Sequence, residues 1–129
     1  YIVPQAMENR LKQSRFIEQA MVIGEGEKFP AVLIVPNFAF VKEWAQRHNL
    51  DFSQLSNDEI IANQSLIDRI NEEISEINLE YGSWEQLKKV KLLPQEFTIE
   101  GGELTPTLKF KRKKILEKYQ AQYQAIYSA

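Results

Sequence analysis

The residues best suited to chemistry in this sequence are the cations between Lys109 and Lys118. This stretch holds six basic residues and one acidic residue, Glu117, so its local charge is +5, whereas the 129-residue chain has a net charge of −2. Such a concentration of cations attracts anions, phosphate groups among them. Its first lysine follows Thr105-Pro106-Thr107, a sequence typical of a turn. We therefore expect Lys109 to project from a loop.

Two other interpretations of this basic cluster stay open on the residues alone. The first is a solvated helix face, although the cations at Lys111–Lys114 would enter the last helix at its amino terminus, where they oppose the helix dipole. The second is a small module that binds nucleic acid or an acidic protein, with Tyr119 and Tyr123 as stacking groups. The two tyrosines share an apolar stripe with Leu116 and Ile126, which favours a core role, and the overall charge argues against a nucleic-acid partner.

The remaining candidates for chemistry give weaker signals. The chain has no cysteine and one histidine, which excludes disulfides, thiolate nucleophiles, iron–sulfur clusters and multi-histidine metal sites, and no metal site is predicted. The histidine, His48, lies near the end of a predicted helix without a nucleophile beside it, so a structural role is expected. The sequence Gly24-Glu25-Gly26 is typical of a hairpin turn, because glutamates beside the glycines would repel a phosphate.

The elements that must position these residues follow from apolar spacing and turn residues. Helices are predicted over Pro4–Ser14, Asn37–His48 with Asn37 as the N-cap, Leu66–Tyr81, a short segment from Ser83, and the carboxyl-terminal stretch. Strands are predicted over Phe16–Ile23, Phe29–Val35 and Val90–Leu93, and the second of them is apolar on both sides, as in a strand covered on two faces. A second, small hairpin is predicted with arms Phe97–Ile99 and Glu103–Thr105. Strands mixed with helices in this order predict an α+β fold, a small mixed β-sheet with flanking helices.

The stretch from Asp51 to Glu80 is strongly acidic. It contains eight acidic residues and a single basic one, Arg69, which gives it a charge of −7. We interpret these carboxylates as the solvated side of a helical region, with an acidic docking surface as the alternative.

Length and composition set the outer limits. A chain of 129 residues with 43% hydrophobic and 26% charged residues is typical of one domain. No apolar run approaches the roughly 18–20 residues that a bilayer span needs, and the cytoplasm is the expected compartment. The chain begins at Tyr1 without an initiator methionine, in an apolar segment that continues to Val3. We interpret it as a fragment of a longer protein.

Three segments resemble one family. Gly102–Arg112, with the sequence GELTPTLKFKR, resembles the carboxyl-terminal signature of long-chain fatty acid–CoA ligases, the AMP-forming acyl-CoA synthetases of the adenylate-forming superfamily. Tyr1–Asn9 resembles the segment after that family's interdomain hinge, and Phe16–Pro36 resembles its first sheet hairpin. The resemblance implies that residues 1–129 are the C-terminal lid domain, separated from a large N-terminal domain that binds ATP and the acyl group. It also implies that residues 51–82 are an acidic helical insertion.

The resemblance implies roles for individual residues. The superfamily's last core motif ends in a Gly-Lys pair, and by that pattern Lys109 is the catalytic lysine of adenylation, while Leu108 replaces the glycine. Lys111 and Arg112 would then be secondary phosphate or interdomain contacts. A second domain orientation would withdraw the lysine and present the face near Tyr1–Pro4 for thioester formation.

The resemblance also implies what the parent enzyme would use. Its substrates and cofactors would be a long-chain fatty acid, ATP with Mg²⁺, and CoA, and its location cytoplasmic or peripheral to a membrane. The N-terminal domain of the same chain would be the partner of this domain. The isolated chain is expected to fold, because its helical stripes and its apolar strand can form a core. It is expected to hold no bound cofactor and to be inactive, because it lacks that domain's nucleotide and acyl pockets.

Overall fold

The computed structural model describes residues 4–128, so of the face predicted near Tyr1–Pro4 only Pro4 lies within the described residues. The elements are α1 (Pro4–Leu11), β1 (Ile17–Ile23), β2 (Ala31–Pro36), α2 (Phe38–Arg47), α3 (Asn57–Ile61), α4 (Gln64–Asn78), β3 (Lys89–Leu92), α5 (Arg112–Lys118) and α6 (Gln120–Tyr127). The chain divides into two compact units. We call residues up to Gln95 the sheet unit and residues from Glu96 onward the lysine unit.

The sheet unit contains the predicted small mixed sheet. Its strand order is β1-β2-β3, with β1 and β2 antiparallel and β2 and β3 parallel. The turn between β1 and β2 uses two glycines with positive φ, Gly24 and Gly26, in the left-handed region where other residues are strained. All six residues of the central strand β2 are buried, as its continuous apolar sequence predicts.

One apolar cluster organises the sheet unit around this sheet. The helix α4 contributes four residues of the predicted stripe at helical spacing, Leu66, Ile70, Ile74 and Ile77, all of which are buried. It ends at Asn78, so Tyr81, the fifth predicted residue, lies beyond the helix and packs half-buried against the same cluster. The helix α2 begins at its predicted N-cap, Asn37, whose side chain accepts a hydrogen bond from the Phe40 N–H. The sheet face and the helix stripes are thus joined through apolar contacts.

The acidic stretch contains a helix that the periodicity did not predict. The short helix α3 begins with a capping box, in which Ser56 Oγ accepts from the Glu59 N–H and Glu59 Oε1 accepts from the Ser56 N–H. Seven of the eight acidic side chains are exposed, as expected for a solvated face. The eighth, Glu73, is half-buried and binds Arg69 at 2.7 Å and the Ser14 hydroxyl at 2.8 Å.

Three predicted elements are corrected by the structure. The short helix expected from Ser83 is a turn, in which the Trp84 ring lies directly over Gly82. The last helix is two helices, because the backbone at Tyr119 departs from helical geometry. The second hairpin predicted with arms Phe97–Ile99 and Glu103–Thr105 is not formed, because residues 97–99 form no strand. A different hairpin lies further along the chain, where a bridge joins Leu104 to Phe110. The glycine pair before it forms a separate turn, closed by a 3.0 Å bond from the Gly102 N–H to the Ile99 carbonyl oxygen.

Candidate functional site

Lys109 lies at the end of a tight hairpin in the lysine unit. The Thr105 N–H donates to the Lys109 carbonyl oxygen at 2.8 Å, and the Lys111 N–H donates to the Glu103 carbonyl oxygen at 2.8 Å. These two bonds flank the bridge between Leu104 and Phe110. Backbone hydrogen bonds therefore hold Lys109 beside the hairpin loop, in agreement with the loop position predicted from the sequence.

The tip of this hairpin is a three-residue loop, Pro106-Thr107-Leu108. The Leu108 N–H donates to the Thr105 carbonyl oxygen at 2.8 Å, and Leu108 has a φ of 65°. A turn followed by one left-handed residue is the usual form of such a loop, and glycine is favoured at the left-handed position. A non-glycine residue there costs about 1–2 kcal/mol. The family pattern has glycine at this position, where this sequence has Leu108. The backbone conformation observed here is one that favours glycine.

The hydroxyl group of Thr105 adds a second bond to the backbone of Lys109. Thr105 Oγ1 accepts from the Lys109 N–H at 3.0 Å, while its own N–H donates to the carbonyl oxygen of the same lysine. Thr105 Oγ1 also lies 3.1 Å from Thr107 Oγ1. The polar groups of the Lys109 backbone are therefore both bound by one residue.

A buried carboxylate anchors the base of the hairpin. Glu103 is 2% exposed; its Oε1 accepts from the Thr98 N–H at 2.9 Å and its Oε2 accepts from Lys118 Nζ at 2.6 Å. The bond to Glu103 raises the pKa of Lys118. A Cβ at Gly101 would collide with this carboxylate, which explains the glycine there. The sequence does not indicate the pairing of Glu103 with Lys118, because two residues fifteen positions apart have no characteristic spacing.

The six cations of the basic cluster differ in their surroundings. Lys118 is paired with Glu103, and the Arg112 guanidinium lies 5.6 Å from the centroid of the Phe110 ring. Four lysines are exposed and make no side-chain ion pair within residues 4–128: Lys109, Lys111, Lys113 and Lys114. Among these four, Lys109 alone adjoins the tip of the hairpin, and it combines an exposed ammonium with a backbone whose N–H and carbonyl oxygen are both bound to Thr105. An arrangement of this kind can present a point charge to an anion.

The two secondary candidates lie where the hairpin meets α5. Lys111 is the N-cap residue of α5, and the first turn of this helix contains no acidic residue. Arg112 is the first residue of the helix and is half-buried. Their positive charges lie at the amino-terminal end of α5, where the helix dipole is also positive. The two contributions together attract an anion from outside the domain.

The tyrosines of the alternative binding module are not arranged for stacking on a ligand. Tyr119 is buried beside Phe97, with ring centroids 6.3 Å apart, and burial raises the pKa of its hydroxyl group. Tyr123 is half-buried beside Tyr127, with ring centroids 5.0 Å apart. Their positions are those of packing residues, as the apolar stripe predicts.

His48, the remaining candidate, ends α2. It is exposed, and its Nδ1 lies 2.9 Å from the Trp44 carbonyl oxygen, as expected for a histidine at a helix terminus. Residues 4–128 contain no group of three or more His, Cys, Asp or Glu side chains suited to a metal ion. Across the same part of the chain, no helix combines the length and the apolar character that crossing a membrane requires.

Comparison with known proteins gives a consistent result. The family profile described as the AMP-binding enzyme C-terminal domain matches residues 2–129. The long-chain-fatty-acid–CoA ligase FadD15 of Mycobacterium tuberculosis is 33% identical over 127 residues, which cover 98% of this chain and 21% of the ligase. Long-chain-fatty-acid–CoA ligase 5 of Mus musculus is 34% identical over 132 residues, 100% of this chain and 19% of the ligase. The chain thus spans about a fifth of the length of these curated relatives.

The fold also matches a solved structure. The A domain of the carboxylic acid reductase from Segniliparus rugosus, in complex with AMP and a co-purified carboxylic acid, superposes with a TM-score of 0.75 at 18% identity. The match covers 98% of this chain and 18% of that one. At this identity the likeness concerns the fold, which is that of the C-terminal part of adenylate-forming enzymes.

Proposed function

This chain belongs to the AMP-binding enzyme C-terminal domain family, and on that premise we propose that it is the mobile C-terminal domain of a long-chain fatty acid–CoA ligase. Homology to such ligases over 98–100% of the chain supports the proposal. The large N-terminal domain of the same ligase would be its partner, and residues 51–82 would be an insertion of the long-chain branch.

The ligase would catalyse two successive reactions. In the first, a carboxylate oxygen of the fatty acid attacks the α-phosphorus of ATP; an oxygen–phosphorus bond forms, and the bond to pyrophosphate breaks. In the second, the sulfur of CoA attacks the acyl carbonyl carbon, and AMP leaves. Negative charge shifts among the phosphate oxygens in the first reaction, where Mg²⁺ bound with ATP would supply part of the compensating charge. A positioned cation therefore accelerates that reaction.

We assign this role to Lys109. The observation that carries the assignment is that the N–H and the carbonyl oxygen of its backbone are both bound to Thr105, while its ammonium is exposed and makes no ion pair within the described residues. A rigid loop with a free charge places that charge with little loss of entropy in the reaction. Lys111 and Arg112, at the start of α5, would add phosphate or interdomain contacts.

The same domain would serve both reactions by changing its orientation. One orientation would bring Lys109 to the α-phosphate, and the other would withdraw it and present the face near Tyr1–Pro4 to CoA. We propose a cytoplasmic or membrane-peripheral location for such an enzyme.

The test is substitution of Lys109 in the full-length ligase that carries this domain, with the two reactions measured separately. Lys109→Ala should slow pyrophosphate release by about a hundredfold or more. Thioester formation from supplied acyl-adenylate should change little. Lys109→Arg should resemble Lys109→Ala, since a planar guanidinium cannot replace a compact ammonium at a fixed position.

Lys113→Ala is the matched control, because Lys113 is an exposed lysine of the same cluster. An exposed charge contributes at most about 1 kcal/mol, so this variant should retain most of its activity. Similar modest losses in all these variants, vanishing at high salt, would show that the cluster acts only through diffuse charge. The isolated 129-residue chain should fold and release no AMP.

A further inference from the structure

We propose that Thr105 is a positioning residue for adenylation, whose hydroxyl group fixes the backbone from which the Lys109 side chain extends. The inference rests on the role proposed above for Lys109. It concerns a different residue and a different interaction, the bond from the Lys109 N–H to Thr105 Oγ1 at 3.0 Å.

The hairpin needs this bond because its tip is strained. Leu108 has a φ of 65°, in the left-handed region that costs a non-glycine residue about 1–2 kcal/mol. That conformation persists only if the neighbouring bonds hold it. On the amino-terminal side the Leu108 N–H is bound by the Thr105 carbonyl oxygen, and on the carboxyl-terminal side the Lys109 N–H is bound by the Thr105 hydroxyl.

The Thr105 hydroxyl binds the one polar group of the Lys109 backbone that the hairpin's ladder of backbone hydrogen bonds does not bind, its N–H. The ladder binds the Lys109 carbonyl oxygen, through the Thr105 N–H at 2.8 Å, but it gives the Lys109 N–H no carbonyl partner. Without Thr105 Oγ1, the peptide between Leu108 and Lys109 would be free to rotate while the ladder remained intact. The φ of Lys109 would then change and turn its Cα–Cβ bond, so the ammonium at the end of the long side chain would shift.

The arrangement also predicts which threonine matters. Thr107 has a hydroxyl group at the same tip, but Thr107 Oγ1 contacts Thr105 Oγ1 at 3.1 Å rather than the lysine backbone. Thr107 is exposed, whereas Thr105 is half-buried. The two residues therefore offer a matched pair, in which the same substitution removes a hydroxyl that holds Lys109 or one that does not.

The experiment compares Thr105→Val, Thr105→Ser and Thr107→Val in the full-length ligase. Valine keeps the shape of threonine and removes the acceptor, so Thr105→Val should lower kcat for adenylation by about 10- to 100-fold, the cost of a small misplacement of a catalytic group. The KM values for ATP and fatty acid should stay within about twofold, since ground-state binding is not changed. Thioester formation from supplied acyl-adenylate and the melting temperature should match wild type.

Serine retains the hydroxyl, so the rate of adenylation in Thr105→Ser should stay within about threefold of wild type. The rate in Thr107→Val should stay within the same range, because that hydroxyl does not bind the Lys109 backbone. Equal losses in both reactions with a lowered melting temperature would reduce Thr105 to a structural role and overturn the inference. So would an equal loss in Thr107→Val, or failure of serine to rescue.

Lys109→Ala, measured in the same assay, separates the two proposals. If Lys109→Ala abolishes adenylation and Thr105→Val does not impair it, the inference about Thr105 fails and the role of Lys109 stands. If Lys109→Ala adenylates at the wild-type rate, both fail.

Discussion

Both units of this chain combine buried apolar residues with a buried carboxylate, Glu8 in the sheet unit and Glu103 in the lysine unit, and they differ in what that carboxylate fixes. Glu8 Oε2 accepts from the Val22 N–H of β1 at 2.7 Å. The sheet unit is organised by one apolar cluster, in which helix stripes and a fully buried central strand pack together. In the lysine unit a buried carboxylate, Glu103, and hydrogen bonds to the backbone fix the hairpin that carries Lys109. Apolar packing tolerates many sequences of the right pattern, whereas directed hydrogen bonds fix particular atoms. The unit that must place a charge therefore relies on directed bonds.

The largest effect is expected from the core of the sheet unit. Ile70 is fully buried in the apolar cluster, so Ile70→Ala should lower the free energy of unfolding by about 2–5 kcal/mol, through lost burial and a cavity. Leu79→Ala is the control, because Leu79 follows the same helix and is 82% exposed; its effect should stay within about 0.5 kcal/mol. Urea unfolding of the 129-residue chain measures both. Equal effects would mean that the packing of α4 is not what stabilises this unit.

An intermediate effect is expected from Glu103 in the lysine unit. Glu103→Ala leaves the Thr98 N–H without its acceptor and Lys118 without its partner, which should cost about 1–3 kcal/mol. Lys118 is partly exposed and can be hydrated again, so the larger part should come from the half-buried Thr98 N–H. Glu117→Ala removes an exposed carboxylate from α5 and should cost less than about 0.5 kcal/mol. Amide hydrogen exchange of α5 distinguishes the variants, and equal protection in the two would refute the anchoring role.

The smallest effect, and the one of opposite sign, is expected at Leu108. Leu108→Gly removes the left-handed strain but adds freedom to the unfolded chain, so the net gain should be at most about 1 kcal/mol. Leu108→Ala keeps a Cβ and should give no gain. Exchange of the Lys109 amide reports the change directly. Weaker protection in the glycine variant would show that the Leu108 side chain itself supports the hairpin.

The sequence was sufficient for most of the sheet unit. The stripe from Leu66 to Ile77, the N-cap at Asn37 and the buried strand β2 were all predicted, because periodicity and capping act between residues close in the chain. The sequence predicts a mixed sheet, but it does not indicate that β3 pairs with β2, since this pairing joins segments separated by three helices.

In the lysine unit the sequence correctly predicted that Lys109 lies in a loop, but the hairpin that carries it was predicted at the wrong residues. The loop position of Lys109 follows from Thr105-Pro106-Thr107, and the structure agrees. The hairpin was assigned to the glycine pair at 101–102, because glycine is the usual residue at such turns, whereas the true tip has Leu108 in the left-handed conformation. A prediction from the preference of such turns for glycine is wrong here, because hydrogen bonds to Thr105 hold Leu108 in the strained conformation. The catalytic role of Lys109 and the contacts of Lys111 and Arg112 stay predictions.

The parallel pairing of β2 with β3 has a consequence for the order in which the chain folds. β1 and β2 are joined by a short turn, so their pairing closes a small loop and can form within microseconds. β3 can join only after the long crossover through α2, α3 and α4 has been brought back to the sheet, which costs far more chain entropy. The lysine unit follows β3 directly in the chain. During synthesis, the first sheet hairpin can therefore form long before the segment that carries Lys109 leaves the ribosome.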